Sequence, residues 1–409
     1  MKKIIVNGGK ALSGKVCVSG SKNAVLPILF ATLVTRGVSV IKNVADIGDV
    51  EVALGILRSF GAEVVRRGST VTVNTENLEY KKPDEKEVCK IRASTYLIGS
   101  CLSRFGICHL QSYGGCNFSQ RPIDLHLAVA EKMGATVNEE SVVADALRPA
   151  EIWLSKQSVG ATVNALIMTA STEGKSTVEG FALEPHIMSL IEYLCSCGAE
   201  ISREGERLVV KGEKLHGGNI TVIGDMIEAG TFCAAAVATG GDITVSGVDE
   251  GELSALFDLL SEAGASYEIS GEGVRFFGEF TRPVEIVANP YPAFPTDLQP
   301  IFAPVLAKFF GGRIDDRVWR ERYGYLRALS GFGIGCAVVS STAYIYPSSL
   351  RPATVSATDL RGGAGCLIAA LAAKGRSEIY ASEKISRGYE NITKKFRTLG
   401  ADVKEIRNT

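Results

Sequence analysis

Apolar and polar positions fall into a pattern that returns six times along the chain. Six stretches, at residues 24–34, 94–102, 161–170, 230–239, 297–307 and 363–373, are rich in small apolar residues at helical spacing. A helix without a polar face predicts burial. Each stretch leads through a glycine turn into a β-rich run: GVSVIKNV at 37–44, GICHLQSY at 106–113, GKSTVEGF at 174–181, GDITVSGV at 241–248, GRIDDRV at 312–318 and GRSEIYAS at 375–382. Val, Ile and Thr carry these runs and predict strands. A more polar helix follows, as at 50–60, 125–132, 187–194 and 254–262. It closes on a glycine, usually Gly-Ala, and a last strand begins. The closing glycines are 61, 134, 198, 264, 333 and 400, separated by 73, 64, 66, 69 and 67 residues.

A period this regular describes one structural unit used six times, and it narrows the fold. No GxGxxG follows a strand, which excludes a dinucleotide-binding βαβ fold. A (β/α)₈ barrel needs eight units of simpler grammar. A solenoid of six units satisfies the spacing. Two domains of three units fit better, because the helices alternate between small-apolar and polar, as expected if three of the former pack inside each domain. The cleft between two such domains is the expected place for a ligand.

Composition adds boundaries. With 409 residues, 46% of them hydrophobic, the chain has ample core and is not disordered. The formal net charge of −1 gives no global case for nucleic acid or an anionic membrane. The N-terminal MKKIIVNGGK has too short an apolar run for a signal peptide, and no stretch approaches the ~20 residues of a spanning helix, so a cytoplasmic location is expected. Ten cysteines without a CxxC pair and four histidines without ligand spacing predict reduced, mostly buried thiols and no zinc site.

Four segments carry residues poorly explained by packing. In Ser19-Gly20-Ser21-Lys22-Asn23 a Gly/Ser turn runs into a helix, which is either an ordinary helix start or an anion site with Lys22 beside it. Cys116 follows Gly114 and Gly115 on a polar loop. Arg121, five residues on, would favour its thiolate, or the thiol is an incidental loop residue. Asp297, in AFPTDLQ, reads locally as the N-cap of the next helix, with a carboxylate offered to a substrate hydroxyl as the other reading. Arg361 and Arg387 each stand beside glycine where a helix is expected to begin. With Lys22, Arg92 and Arg121 they form a candidate cationic set suited to phosphate and carboxylate.

In this order, GSKNAVLPIL, RAS at Arg92, GGC…RPIDLH, SVGAT, FPTDLQ, TDLR and RGYENI make the chain resemble the enolpyruvyl transferases over essentially its whole length. The closer likeness is to the branch acting on UDP-N-acetylglucosamine at the start of peptidoglycan synthesis. The resemblance implies an α/β (α+β) fold, a two-domain inside-out α/β barrel of six βαβαββ-type repeats, three per domain about a pseudo-threefold axis. Residues 22–221 would form the first domain, with the catalytic loop, and 1–21 plus 222–409 the second. It implies that Lys22, Arg92, Arg121, Arg361 and Arg387 grip phosphoenolpyruvate, with Lys22 and Asn23 where the two substrates meet. Cys116 would be general acid and site of a pyruvate adduct, and Asp297 would lie at the sugar 3′-hydroxyl, which reverses the local preference for a cap. Arg121, Pro122, Ile123, Asp124 and Leu125, Lys156 with Ser158, Val159 and Gly160, and Val318 would bind the sugar nucleotide. Only small-molecule partners are implied, without metal or other cofactor, nucleic acid, membrane or obligate protein partner. The chain departs from the family pattern at Phe118-Ser119, His186, Met226 and the 322–325 stretch. A shikimate-type transferase, or a nucleotide-sugar-binding paralogue without turnover, are the competing readings.

Overall fold

The computed structural model describes residues 2–114 and 122–407. The chain separates into two compact units, one built from residues 20–114 and 122–223, the other from 2–19 and 224–407. At the heart of the first lie helices α1 (Lys22–Ala31), α2 (Leu97–Phe105) and α3 (Val159–Ala170). The second holds α4 (Met226–Thr239), α5 (Gln299–Lys308) and α6 (Leu360–Ala372). These are the six apolar stretches of the sequence. From Ala161 onward every residue of α3 is buried, and so is α6 from Leu360 through Leu371. Buried hydroxyls on these helices are satisfied locally: Thr169 and Thr231 each donate to the carbonyl four residues back, at 2.7 Å.

The repeat-closing glycines have one physical cause. Gly61, Gly134, Gly198, Gly264, Gly333 and Gly400 all have positive φ, between +78° and +114°. Each ends an outer helix in a left-handed residue and turns the chain into the next strand. A side chain there would cost roughly 1–2 kcal/mol.

Six sheets surround the helices, five of four strands and one of three among the described residues. In the first, Val38–Lys42 pairs antiparallel with Thr70–Asn74, which pairs with Glu63–Arg67. On its other side Val38–Lys42 takes Asn219–Thr221 in parallel. The sheet around Gly174–Glu179 repeats this arrangement, its parallel strand Glu151–Trp153 coming directly before α3. Two strands break that local rule. Ser13–Cys17 precedes α1 but pairs with Asp242–Ser246, the strand after α4. Asn219–Thr221 precedes α4 but serves the strand after α1. The first and fourth repeats thus exchange their leading strands, and each unit closes on itself. The last sheet is completed by Lys2–Gly8, antiparallel to both Gly375–Tyr380 and Asp402–Arg407.

Small residues set how closely the inner helices approach. A Cβ on Gly365 of α6 would stand 2.3 Å from the Pro300 carbonyl oxygen in α5. Between α2 and α3 a polar contact replaces part of the packing. The Gly99 N–H donates to Asn164 Oδ1 at 2.8 Å, and Asn164 Nδ2 donates to the Thr95 carbonyl at 3.0 Å. Among the described residues no helix is long and apolar enough to cross a membrane.

Candidate active site

In the first unit, the turn into α1 is held at both ends. The Ser21 N–H donates to the Ile223 carbonyl at 2.8 Å, and a Cβ on Gly20 would lie 1.7 Å from the Asn43 carbonyl oxygen, so only glycine fits. Lys22 opens α1, and its Nζ stands 3.4 Å from Asp49 Oδ2. Asp49 is buried in the first turn of the helix Gly48–Ser59, whose N-terminus favours its charge. Asn23 follows Lys22 on the same turn.

Arg92 begins a 3₁₀ turn (Arg92–Tyr96) and approaches the Pro122 carbonyl at 3.5 Å. Burial lowers its pKa. Pro122 and Ile123 lead into the helix Asp124–Lys132, and Ser158 caps α3, its Oγ accepting from the Ala161 N–H at 3.4 Å. His126 joins these segments. Its Nδ1 lies 2.6 Å from Asn164 Nδ2, and its ring passes so close to Gly160 that a Cβ there would be 2.8 Å from Cε1. The two stretches expected to bind nucleotide, 122–125 and 158–160, are therefore adjacent, with Lys156 exposed beside the second. His126 was not singled out in the sequence, where it reads as one residue of a helix's first turn.

In the second unit, Asp297 is not a cap. Helix α5 starts at Gln299, after Leu298, and the Asp297 carboxylate instead lies between two buried guanidinium groups. Arg322 Nη1 donates to its Oδ1 at 2.8 Å, and Arg361 Nε to its Oδ2 at 3.0 Å. Arg361 is 1% exposed and Arg322 4%. Arg361 is fixed at the start of α6 by Asp359, whose Oδ1 accepts from the N–H groups of Arg361 and Gly362. Its guanidinium lies 5.2 Å from the centre of the Tyr389 ring, and Tyr389 and Thr231 hydroxyls are 2.8 Å apart. Burial opposes the charge on Arg361, but Tyr389, Asp297 and Asp225 outweigh it and raise its pKa. Its Nη1 and Nη2 are buried without a hydrogen-bond partner among the described residues. Two unsatisfied N–H-bearing atoms on one buried cation suit an anionic ligand.

Val318 lies in the turn after the strand Gly312–Asp316, its N–H donating to Asp316 Oδ1 at 3.0 Å. Asp316 also accepts from Thr296 at 2.5 Å, which ties that turn to the Asp297 segment.

Two expectations need correction. Arg387 does not open a helix. It sits half-buried in a turn closed by the Gly388 and Tyr389 N–H groups on the Ile385 carbonyl, and the next helix, Ile392–Thr398, begins five residues later, after a left-handed Asn391. The thiols are also less uniformly buried than expected. Cys101, Cys108, Cys197, Cys233 and Cys366 are buried, but Cys17, Cys89 and Cys195 are exposed. Strand, turn and outer-helix segments leave one face of the chain toward solvent, and a thiol there stays exposed even where, as at Cys89, its Sγ donates to a carbonyl, that of Ser112, at 2.8 Å. Cys116 and Arg121 lie outside the described residues.

A family model described as EPSP synthase (3-phosphoshikimate 1-carboxyvinyltransferase) matches residues 6–396. The chain belongs to the enolpyruvyl transferase family. Among its curated relatives, a UDP-N-acetylglucosamine 1-carboxyvinyltransferase from Chlorobaculum parvum is 38% identical over 99% of this chain and 98% of its own length. UDP-N-acetylglucosamine 1-carboxyvinyltransferase 3 from Caldanaerobacter subterraneus subsp. tengcongensis is also 38% identical, with both chains fully covered. Among solved structures, the enolpyruvyl transferase NikO from Streptomyces tendae superposes with a TM-score of 0.88 at 29% identity, covering 100% of this chain and 99% of its own. EPSP synthase from Acinetobacter baumannii, at 18% identity with full coverage of both chains and a TM-score of 0.73, shares the fold. The architecture is accordingly the two-domain inside-out α/β barrel of this family, with three repeats in each domain.

Arg322, Asp316 and Tyr389 escaped the sequence reading as site residues. RERYGY looks like an exposed charged turn, and no periodicity marks which of its charges turns inward.

Proposed function

We propose that this enolpyruvyl transferase moves the enolpyruvyl group of phosphoenolpyruvate to the 3′-hydroxyl of UDP-N-acetylglucosamine and releases phosphate. Full-length relatives of that name at 36–38% identity support the choice of acceptor over a shikimate-type one. The observation that carries the chemistry is the Asp297 carboxylate between two buried arginines, one of which has two unused buried nitrogens.

The reaction is addition followed by elimination. The sugar hydroxyl oxygen bonds to C2 of phosphoenolpyruvate while C3 takes a proton. The tetrahedral intermediate then loses phosphate, and a proton leaves C3 to restore the double bond. Asp297 is the proposed base toward the hydroxyl and Cys116 the acid toward C3. Lys22, Arg92, Arg121, Arg361 and Arg387 hold the anionic substrate and the departing phosphate. Asn23, the 121–125 segment, Lys156, Ser158, Val159, Gly160 and Val318 hold the sugar nucleotide. The product feeds peptidoglycan synthesis in the cytoplasm, and through it cell-wall growth and division.

The test is phosphate release from phosphoenolpyruvate with UDP-N-acetylglucosamine, and in parallel with shikimate 3-phosphate. Release with the sugar nucleotide alone is expected. Release only with shikimate 3-phosphate, or with neither, would overturn the assignment.

A further inference from the structure

The helix Ile392–Thr398 is joined to the turn before it by a kink at Asn391, which has φ +49°. Side chains from either side of the kink meet on one hydroxyl. Glu390 Oε2 accepts from Ser19 Oγ at 2.8 Å, and Lys395 Nζ donates to the same Oγ at 2.7 Å. Ser19 is held at every polar atom. Its N–H donates to Glu228 Oε2 at 2.7 Å, and its carbonyl accepts from the Asp225 N–H at 3.0 Å. Lys395 closes the set by donating to Glu228 Oε1 at 2.6 Å. Glu228 is buried in the first turn of α4, so this anchor belongs to the core of the second unit.

The residue next to the anchor is Tyr389, whose ring lies 5.2 Å from the Arg361 guanidinium and whose hydroxyl is 2.8 Å from Thr231 Oγ1. Thr231 and Glu228 are three residues apart and share a face of α4. One helix face thus holds the 389–395 segment twice, through Tyr389 and through Lys395. The far end of the turn is held separately, by Lys384 Nζ donating to the Ala357 and Thr358 carbonyls at 2.9 and 3.0 Å. Losing the Glu390 bond would therefore loosen one end of the turn and leave the other in place.

We propose that Glu390 is a positioning residue for Arg361: through the Ser19 hydroxyl it fixes the Tyr389 ring, and the ring sets the direction in which Arg361 presents Nη1 and Nη2 to the anionic substrate. The inference rests on the proposed function, in which Arg361 binds phosphoenolpyruvate. A ring attracts a guanidinium without the directionality of a hydrogen bond, so it steers the cation only if it is itself held. Donors fixed before the substrate arrives need no reorganisation, and a misplacement of about 1 Å costs up to about a hundredfold.

The experiment is steady-state phosphate release, with KM for each substrate, by the wild type, Glu390→Ala, Glu390→Gln, Ser19→Ala and the Ser19→Ala/Glu390→Ala double variant, with thermal melts as a folding control. If the wild type releases no phosphate, the proposed function fails, and calorimetric titration of the same proteins with phosphoenolpyruvate reads this inference by itself. In Glu390→Ala the KM for phosphoenolpyruvate should rise about tenfold or more, while that for UDP-N-acetylglucosamine stays within about twofold. Ser19→Ala deletes the same bond from its other side and should show the same split. The double variant should be no worse than the weaker single one, because both changes remove one interaction. In Glu390→Gln the amide oxygen still accepts from Ser19, and both KM values should stay within about threefold of the wild type. A purely structural role would lower Tm and raise both KM values together. An unchanged KM for phosphoenolpyruvate in folded Glu390→Ala, an equal rise in both, or a Glu390→Gln protein as impaired as Glu390→Ala overturns the proposal. If Glu390→Ala does not fold, a wild-type KM for phosphoenolpyruvate in Ser19→Ala overturns it.

Discussion

The close approach of α5 and α6 makes a prediction whose sign depends on space alone. Alanine is favoured over glycine within a helix by about 1 kcal/mol. Gly55, in the middle of the helix Gly48–Ser59, is exposed, and a Cβ added there would meet nothing within 4 Å. Gly55→Ala should therefore stabilise the protein by about 0.5–1 kcal/mol. Gly365 is also helical, but a Cβ there lies 2.3 Å from the Pro300 carbonyl oxygen, against an ordinary contact of 3.4 Å or more. The neighbour is backbone, so no side chain can swing away, and the helices must separate by the difference, 1.1 Å. Overpacking of this kind costs about 1–3 kcal/mol, and the rigid neighbour puts it near the top of that range. After the propensity gain, Gly365→Ala should lose about 2 kcal/mol. Urea denaturation followed by circular dichroism measures both, with Trp319 fluorescence reporting the unit that contains Gly365. At an m-value of about 2–3 kcal/mol/M the midpoint of that unit should fall by about 0.7–1 M. A Gly365→Ala protein as stable as the wild type, or more so, would refute the packing argument, especially if Gly55→Ala behaves as expected.

Asp297→Asn should lower kcat by about a hundredfold or more with the fold intact, since the amide cannot accept the hydroxyl proton; near-normal turnover would remove Asp297 as base. Arg361→Ala should weaken phosphoenolpyruvate binding by about 2–5 kcal/mol and leave sugar-nucleotide affinity nearly unchanged, as titration calorimetry would show. Glu252 has its pKa pushed up to about 7, first by burial and then by Asp249 and Asp225. The folded state then binds more protons than the unfolded state between about pH 4.5 and 7, so this group's contribution to stability falls as pH rises through that window. Glu252→Gln should flatten the fall in Tm over that range and raise Tm at about pH 8; an unchanged profile would place the carboxylate in solvent. A phosphonate epoxide should label Cys116 faster than the exposed Cys17, Cys89 and Cys195, and faster still with the sugar nucleotide present, by mass-spectrometric mapping. Cys116→Asp should retain turnover and lose labelling, Cys116→Ser should lose most turnover, and full activity in the serine variant would exclude the cysteine as acid.

The repeat and its local geometry are legible in the residues alone. Helices with no polar face have only one stable place, the interior, so the six apolar stretches announced six inner helices, with two domains of three preferred over a solenoid. The closing glycines announced themselves because a left-handed residue is costly for any other side chain. Arg361 and Arg387 could be named from their neighbours, since arginine beside glycine at a turn has little to offer a core. Tertiary structure alone decided what those residues touch. That Ser13–Cys17 and Asn219–Thr221 exchange places follows from closing each unit, and a strand's sequence records its alternation but not its partner. Asp297 before a helix looks like a cap, because capping is a local interaction and the local rule is all that sequence spacing expresses. Its partners, Arg322 and Arg361, are 25 and 64 residues away, and the buried frame that places them exists only once the chain has folded.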